Sequence, residues 1–259
     1  MTMNTFYVNT GSWFESLHPI SKLYFVAAMA VVPFLTANLG VLGAYLAVVV
    51  LLAYSAQVGG RFVGVLLRAV APLLLLLFAM QSLLYPGGQD ILFQWGGLAV
   101  KREGVLFAAV VGMRLLVVVG AILLMLMSTH PKHLVVALEQ RGMPAKAGYI
   151  ILSTMQIIPQ MQTLSRKILD AQKSRGVEVE GGLWTRIRAY IPVVGPLILA
   201  SIAQLENKAL ALESRAFNAA VKKTSMIDFT MTAADRALRA GSILILVGAV
   251  AGRVVPLWL

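Results

Sequence analysis

The chain has 259 residues, of which 59% are hydrophobic and 13% charged, with a net charge of +11 and no cysteine. Soluble domains are less apolar and about twice as charged, so this composition indicates an integral membrane protein. The lack of cysteine excludes a disulfide framework and a thiolate metal site. We attribute the positive charge to the topology of the chain in the membrane and to contact with anionic lipid, and not to nucleic-acid binding.

Four hydrophobic segments precede a long mixed region, and a fifth hydrophobic segment follows it. The first 21 residues lack a basic start with an apolar stretch behind it, so we expect no cleaved signal peptide. Since about 20 apolar residues cross a bilayer, the sequence predicts an all-α integral membrane protein with about five transmembrane helices. The predicted spans are 22–37, 39–57, 65–84, 104–127 and 239–258. The stretch 85–104 predicts an interfacial loop.

Basic residues orient the predicted spans. Of the 22 Lys and Arg residues, 15 lie between Thr129 and Arg239, which predicts that this region is cytoplasmic. Counting back through four spans places the amino terminus inside as well. Arg61 and Arg68 agree with this topology, whereas the basic residues at 101, 102 and 253 oppose it. We predict three parts: transmembrane residues 1–128, cytoplasmic residues 129–238 and a transmembrane helix at 239–259.

The mixed region contains two long stretches with helical periodicity. Both are expected to form cytoplasmic amphipathic helices, one over Ala147–Lys173 and one over about Val193–Phe217. The apolar stripe of the first helix consists of Ile157, Met161, Leu164 and Ile168. The stripe of the second contains Ile198, Ile202, Leu205, Ala209 and Leu212. These stripes are expected to be buried against a partner or the membrane surface.

Each predicted helix closes with a Ser-Arg-small triplet. The two triplets are Ser174-Arg175-Gly176 and Ser214-Arg215-Ala216, with the arginines 40 positions apart. A cation at a helix C-terminus complements the helix dipole, and glycine stops helices, so both triplets could be simple helix ends. Their repetition favours a second interpretation, in which each guanidinium docks on a partner. Arg175 also continues the stripe through Leu164 and Ile168 on a straight helix.

The sequence gives little support for metal binding, catalysis or nucleotide binding. His130 and His133 lie three positions apart but lack a third ligand nearby, so we predict no metal site. No span carries a general base and nucleophile at helical spacing, and no phosphate-binding loop of the form G-x-x-x-x-G-K-[ST] occurs. We therefore predict neither a catalytic nor a cofactor-binding site. An intramembrane enzyme and a self-contained secondary transporter or channel remain the alternative functions.

Arg114 lies inside the fourth predicted span, where a charge is costly. It is expected to face the bundle interior or a partner, pairing with Glu103 or a nearby carbonyl.

Four motifs occur in a fixed order along the chain. LHPISKL opens the first span, HLVVALEQRGMP precedes the first amphipathic helix, and LDAQKSRGVEVEGG and ENKALALESRAFN contain the two triplets. This set resembles the transmembrane T component of energy-coupling factor transporters, the family that includes cobalt-transport T subunits. His18, Ile20 and Ala216 depart from the residues usual in that family.

This resemblance implies a non-catalytic coupling subunit of an ABC importer for vitamin or metal-ion uptake. Two cytoplasmic ATPase subunits would hydrolyse ATP and dock on the triplets of the two coupling helices. A membrane substrate-binding S component would contact the apolar stripes. The implied S-component contacts are Ile157, Met161, Leu164, Ile168, Ile198, Ile202, Leu205 and Leu212.

Overall fold

The computed structural model describes residues 11–84, 91–95, 98–178, 181–219, 221 and 229–254. The chain divides into two compact units. The first, which we call the bundle, comprises Thr2–Leu138 and Asp228–Leu259. The second, which we call the hairpin, comprises Glu139–Ile227.

Within its described residues, the bundle contains five long helices and two short ones. The elements are α1 (Trp13–Ser16), α2 (Pro19–Leu35), α3 (Leu39–Ser55), α4 (Gly59–Leu84), α5 (Arg102–Ser128), α6 (Pro131–Glu139, ending at the first hairpin residue) and α9 (Ala233–Val254). The five long helices cover the five predicted spans, apart from residues 255–258 and short stretches at helix ends. Residues 255–258 lie outside the described part of the chain. The all-α architecture is therefore confirmed.

The core of the bundle lies between α2, α3, α4 and α5. Phe25 and Met29 of α2, Val49 of α3 and Phe62 of α4 are buried together there. Gly112 of α5 permits close approach of α4, because a Cβ added at this position would lie 3.0 Å from the Leu74 side chain. Small residues at helix interfaces allow this packing in a bilayer, where lipid offers no hydrophobic drive for association.

The helices differ in whether they are long and apolar enough to cross a membrane. Within the described residues, three helical stretches are long and apolar enough to cross a membrane: Gly59–Leu83, Arg102–Ser128 and Ile187–Ser214. The apolar helices α2 and α3 have 17 residues each, or about 25 Å at 1.5 Å per residue. The third stretch belongs to a helix that was expected to be cytoplasmic.

The loop expected between the third and fourth spans contains two strands. β1 (Ile91–Trp95) and β2 (Leu98–Lys101) pair antiparallel, and they are the only sheet in the described segments. The predicted interfacial loop thus contains a strand pair that the sequence analysis did not predict. Their composition explains the strands, because Ile, Phe, Trp and Val favour extended structure. Residues 85–90, 96 and 97 of the same stretch lie outside the description.

The hairpin consists of α7 (Ala145–Ser174) and α8 (Leu183–Ser214). Ser201 donates a hydrogen bond to the sulfur of Met161, and the Gln172 side chain donates one to the Pro192 carbonyl. Pro196 has no N–H to give to the Pro192 carbonyl in the same helix, so that oxygen is free to accept from α7. The residues paired by these two contacts rise along α7 as they fall along α8, so the helices run antiparallel.

Candidate functional site

The two Ser-Arg-small triplets form matching helix ends. α7 ends at Ser174 and α8 at Ser214, and the next residue, Arg175 or Arg215, is the C-cap. The Val177 N–H donates to the Gln172 carbonyl at 3.1 Å, and the Phe217 N–H donates to the Leu212 carbonyl at 2.9 Å. In each case the residue after the arginine donates to the second-last helical carbonyl, at 2.9 Å. Both ends are therefore Schellman motifs.

Gly176 and Ala216 occupy the same position in the two motifs, and both adopt left-handed backbone angles. Their φ values are +90° and +53°, respectively. Glycine adopts this region freely, whereas an L-residue with a Cβ does so at a cost of about 1 kcal/mol. The alanine that departs from the family pattern therefore keeps the glycine conformation, and the second helix ends as the first one does.

Each triplet serine bonds back to its own helix. The Ser174 hydroxyl donates to the Asp170 carbonyl and the Ser214 hydroxyl to the Ala211 carbonyl. Arg175 and Arg215 are both exposed, and neither forms an ion pair with another described residue. Arg175 was predicted to continue the stripe through Leu164 and Ile168, but it lies just after the last residue of the helix. Both guanidiniums are exposed.

The antiparallel pairing separates the two triplets. Phe217, just after the second triplet, lies against Tyr149 near the start of α7, with 5.2 Å between ring centroids. The first triplet lies at the other end of α7. The 26 residues from Tyr149 to Arg175 correspond to about 40 Å of helix. The hairpin therefore presents one exposed arginine at each end, a separation that the triplets alone did not indicate.

Exposed apolar side chains accompany each arginine. Near the first triplet, Trp184 is 78% exposed and lines a groove with Val177 and Ile191. Leu210, one turn before the second triplet, is also largely exposed. Arginine and tryptophan are the residue types that contribute most often to protein–protein binding.

The predicted apolar stripes differ in burial. On α7 the whole stripe is half-buried, and its member Met161 contacts Ser201 of α8. On α8 the stripe residues Ile198, Ile202 and Leu205 are exposed, and Leu212 is half-buried. The half-buried positions of α8 include Ser201, Gln204 and Lys208. α8 thus turns a partly polar face toward α7, and its apolar stripe stays uncovered.

The remaining polar residues singled out in the sequence have structural surroundings. The guanidinium of Arg114 donates to the Thr36 carbonyl at 2.9 Å, which is the carbonyl pairing that was one of its two predicted roles. The His130 and His133 rings lie 5.6 Å apart. Among the described residues, no group of three or more His, Cys, Asp or Glu could hold a metal ion.

Comparison with known proteins places this arrangement in a family. The family model described as CbiQ, cobalt transport protein, matches residues 10–226. The energy-coupling factor transporter transmembrane protein EcfT of Staphylococcus aureus is 29% identical over 230 residues, covering 85% of each chain. The protein of the same name from Thermanaerovibrio acidaminovorans is 33% identical over 189 residues, covering 68% of this chain and 70% of the relative.

A third relative extends over nearly the whole sequence. The EcfT protein of Brevibacillus brevis is 26% identical over 252 residues, which is 93% of this chain and 94% of the relative. The region that the family model matches, residues 10–226, includes both Schellman ends and the hairpin between them. The protein is therefore a membrane protein and belongs to the family of CbiQ cobalt transport proteins that its ordered motifs resemble.

Proposed function

We propose that this chain is the membrane-embedded coupling subunit of an energy-coupling factor importer. In this proposal two cytoplasmic ABC ATPase subunits each bind one end of the hairpin. A membrane S component, which carries the vitamin or metal ion, lies against the apolar faces of α7 and α8. ATP is hydrolysed by the partner subunits, and this chain transmits their movement without catalysis of its own.

The matching helix ends carry this proposal. Two partners of the same kind need two similar sites far enough apart to be occupied together. The Schellman ends present Arg175 and Arg215 in nearly the same backbone geometry, with φ and ψ of −92° and 6° against −92° and 10°. Their separation of about 40 Å along α7 leaves room for a subunit at each end.

The uncovered face of α8 supports the S-component contact. Ile198, Ile202 and Leu205 are all about half-exposed or more, and they lie on one side of the helix. A contiguous exposed apolar surface marks contact with protein or lipid. The half-buried stripe of α7 would contribute at the edge of the same surface.

In this proposal the protein lies in the plasma or inner membrane. The amino terminus and residues 129–238 face the cytoplasm. The chain has no cysteine, so single cysteines report on exposure without background. We expect cysteine at Lys173 to resist an impermeant maleimide in intact cells, while cysteine at the exposed turn residue Asn38 reacts. A cysteine at Lys222, outside the described residues, should behave as at Lys173. Labelling at Lys173 from outside would refute this topology.

The docking proposal is tested by removing the guanidiniums. Arg175→Ala or Arg215→Ala alone should weaken recovery of the ATPase subunits with the tagged membrane protein, and the double variant should abolish most of it. Loss of one partner of a buried charge pair costs about 2–5 kcal/mol. Two linked contacts reinforce each other through effective concentration, so the double loss should exceed either single loss.

The control is Arg166→Ala, which removes an exposed arginine from the same helix eight residues before its end. It should recover ATPase subunits as the unmodified chain does. If the arginines only complement the helix dipoles, each substitution costs about 0.3–1 kcal/mol of local helix stability and leaves the complex assembled. Unchanged ATPase recovery and substrate uptake in the double variant would therefore reject docking.

A further inference from the structure

The hairpin is joined to the bundle by two connections. The chain leaves the bundle after Leu138 and re-enters it at Asp228. On the bundle side of these two points, residues 129–138 lead out from Ser128, the last residue of α5, and residues 229–232 lead into α9 at Ala233; we call these segments the outgoing and the returning connection. Residues 18–22, at the start of α2, make specific contacts with both connections.

Lys22 holds the outgoing connection. Its side chain is 1% exposed, and its ammonium donates to the Ser128 carbonyl at 2.9 Å, the Thr129 hydroxyl at 3.2 Å and the Glu15 carbonyl at 3.2 Å. Three acceptors satisfy the three donors of an ammonium group. The Ser128 carbonyl has no partner within α5 because it lies in the last turn, and a cation there also complements the helix dipole.

Asp235 ties the returning connection to the same segment. One of its carboxylate oxygens accepts from the His18 backbone N–H at 2.7 Å. The other accepts from the backbone N–H and the hydroxyl of Thr232, while the Asp235 N–H donates to that hydroxyl. Thr232 and Asp235 thereby form a capping box at the start of α9. Asp235 is 1% exposed, so this link is protected from water.

An aromatic contact joins the two connections to each other. The ring of Phe229, in the returning connection, lies 5.7 Å from that of His18 and 5.5 Å from that of His133 in α6. Burial, with the nearby charges of His130 and Lys132, lowers the pKa of His133 below its ordinary value. A neutral imidazole suits contact with an apolar ring. The segment that opens α2 therefore contacts the end of α5 and the start of α9 directly, and it is linked to α6 through the ring of Phe229.

We propose that His18–Lys22 form a root clamp that holds the outgoing and the returning connection to the start of α2 within the bundle, and that the clamp is required for coupling rather than for partner binding. Lys22 and His18 are positioning residues in this role. This inference rests on the proposed function. Rigid-body transmission needs both connections to be held, since a connection that swivels absorbs the displacement of the hairpin before it reaches the membrane helices.

The test separates transport from ATPase binding. The complete complex, with its ATPase subunits and S component, is reconstituted in proteoliposomes, and uptake per ATP hydrolysed is measured. The probes are radiolabelled Co²⁺, Ni²⁺ and a panel of B vitamins, using whichever of these the unmodified complex accumulates. Recovery of ATPase subunits is measured on the same preparations.

Two substitutions at Thr129 isolate the hydrogen bond that its hydroxyl accepts from the Lys22 ammonium. Thr129→Val keeps the shape of the side chain and removes the hydroxyl, whereas Thr129→Ser keeps the hydroxyl and removes the methyl group. We expect uptake per ATP to fall about fivefold or more in Thr129→Val and Lys22→Met, and to stay within about twofold in Thr129→Ser. Phe229→Leu should resemble Thr129→Val, because it loosens the other connection. Arg61→Met, which removes an exposed cation from α4, is the control.

ATPase recovery should be unchanged in all these variants, because Arg175 and Arg215 are intact. Normal uptake per ATP in Thr129→Val would overturn the clamp, and so would equal losses in Thr129→Val and Thr129→Ser. The Thr129 pair decides the matter even if Lys22→Met does not accumulate in the membrane. Failure of the unmodified chain to recover ATPase subunits would instead refute the proposed function.

Discussion

The bundle and the hairpin place their apolar side chains differently. In the bundle, Val49, Phe62 and Leu124 are buried among neighbouring helices of the same chain. In the hairpin, α8 buries Val193 but leaves Ile198 and Leu205 more than half exposed. Both units leave apolar side chains exposed, as at Leu75 of α4, which is 73% exposed, but the core cluster of the described residues lies in the bundle.

Polar groups show the same contrast. In the bundle, the buried Lys22 is held by three oxygens, and the half-buried Arg114 donates to the Thr36 carbonyl. The exposed arginines at the ends of the hairpin have no such acceptor among the described residues. A guanidinium stays charged at all physiological pH values, so its acceptors must come from water or a partner. Substitutions should therefore affect stability in the bundle and assembly in the hairpin.

The largest effect is expected from a charge on the uncovered stripe. Leu205→Asp should reduce recovery of the S component about 100-fold, because an unpaired carboxylate buried in an interface costs about 3 kcal/mol or more. The stability of the isolated membrane subunit should hardly change, since Leu205 is 57% exposed there. Co-purification from detergent and thermal unfolding of the isolated chain would measure the two quantities.

Asn207→Asp adds the same charge at another exposed position of α8 and serves as the control. It should leave S-component recovery intact. If ATPase subunits are lost from Leu205→Asp while the S component stays bound, the faces assigned to the two partners must be exchanged. Leu164→Asp should also weaken S-component assembly, with an added loss of hairpin stability because Leu164 is half-buried.

A matched pair of leucines should show an intermediate effect. Leu124→Ala removes a side chain that is 1% exposed in the bundle core, and the remaining cavity should cost about 2 kcal/mol. Leu199→Ala removes one that is 71% exposed on α8 and should change stability by less than about 0.5 kcal/mol. Thermal unfolding of the two variants in one detergent gives the comparison. Equal destabilisation would mean that the hairpin is packed as tightly as the bundle.

The smallest effect is expected at the two helix ends. Gly176→Ala should destabilise the end of α7 by about 1 kcal/mol, and Ala216→Gly should stabilise the end of α8 by a similar amount. A Cβ at Gly176 meets no atom within 4 Å, so backbone strain alone sets the cost. Amide hydrogen exchange at the last turn of each helix would report the two changes. Changes of the same sign would contradict the shared left-handed conformation.

Periodicity and stop signals predicted much of the fold. The end of α7 was predicted to within one residue, at Lys173 against Ser174, whereas α8 was predicted to run to about Phe217 and ends at Ser214. The start of α8 was placed at about Val193, ten residues after Leu183, where the helix begins. Pro192 and Pro196 explain the difference, since proline usually marks a helix boundary but is contained inside this helix.

Long-range contacts could not be predicted from local patterns. Lys22 meets Thr129 across 107 positions, and His18 meets Asp235 across 217. Neither pair has a spacing rule, because the contact depends on how whole helices pack. The local sequence did contain one signal that was missed: the TAAD stretch at 232–235 has the Thr-x-x-acid pattern of a capping box.

The antiparallel pairing of α7 and α8 also restricts how the length of this chain can vary. Tyr149 must reach Phe217 at one end, and Gln172 must reach Pro192 at the other. Seven residues inserted into α8 alone would lengthen it by about 10 Å and carry Phe217 past Tyr149. An insertion in one helix would therefore need an insertion of equal length at the position opposite it in the other helix. We expect relatives that differ in hairpin length to have gained or lost the same number of helical turns in both helices.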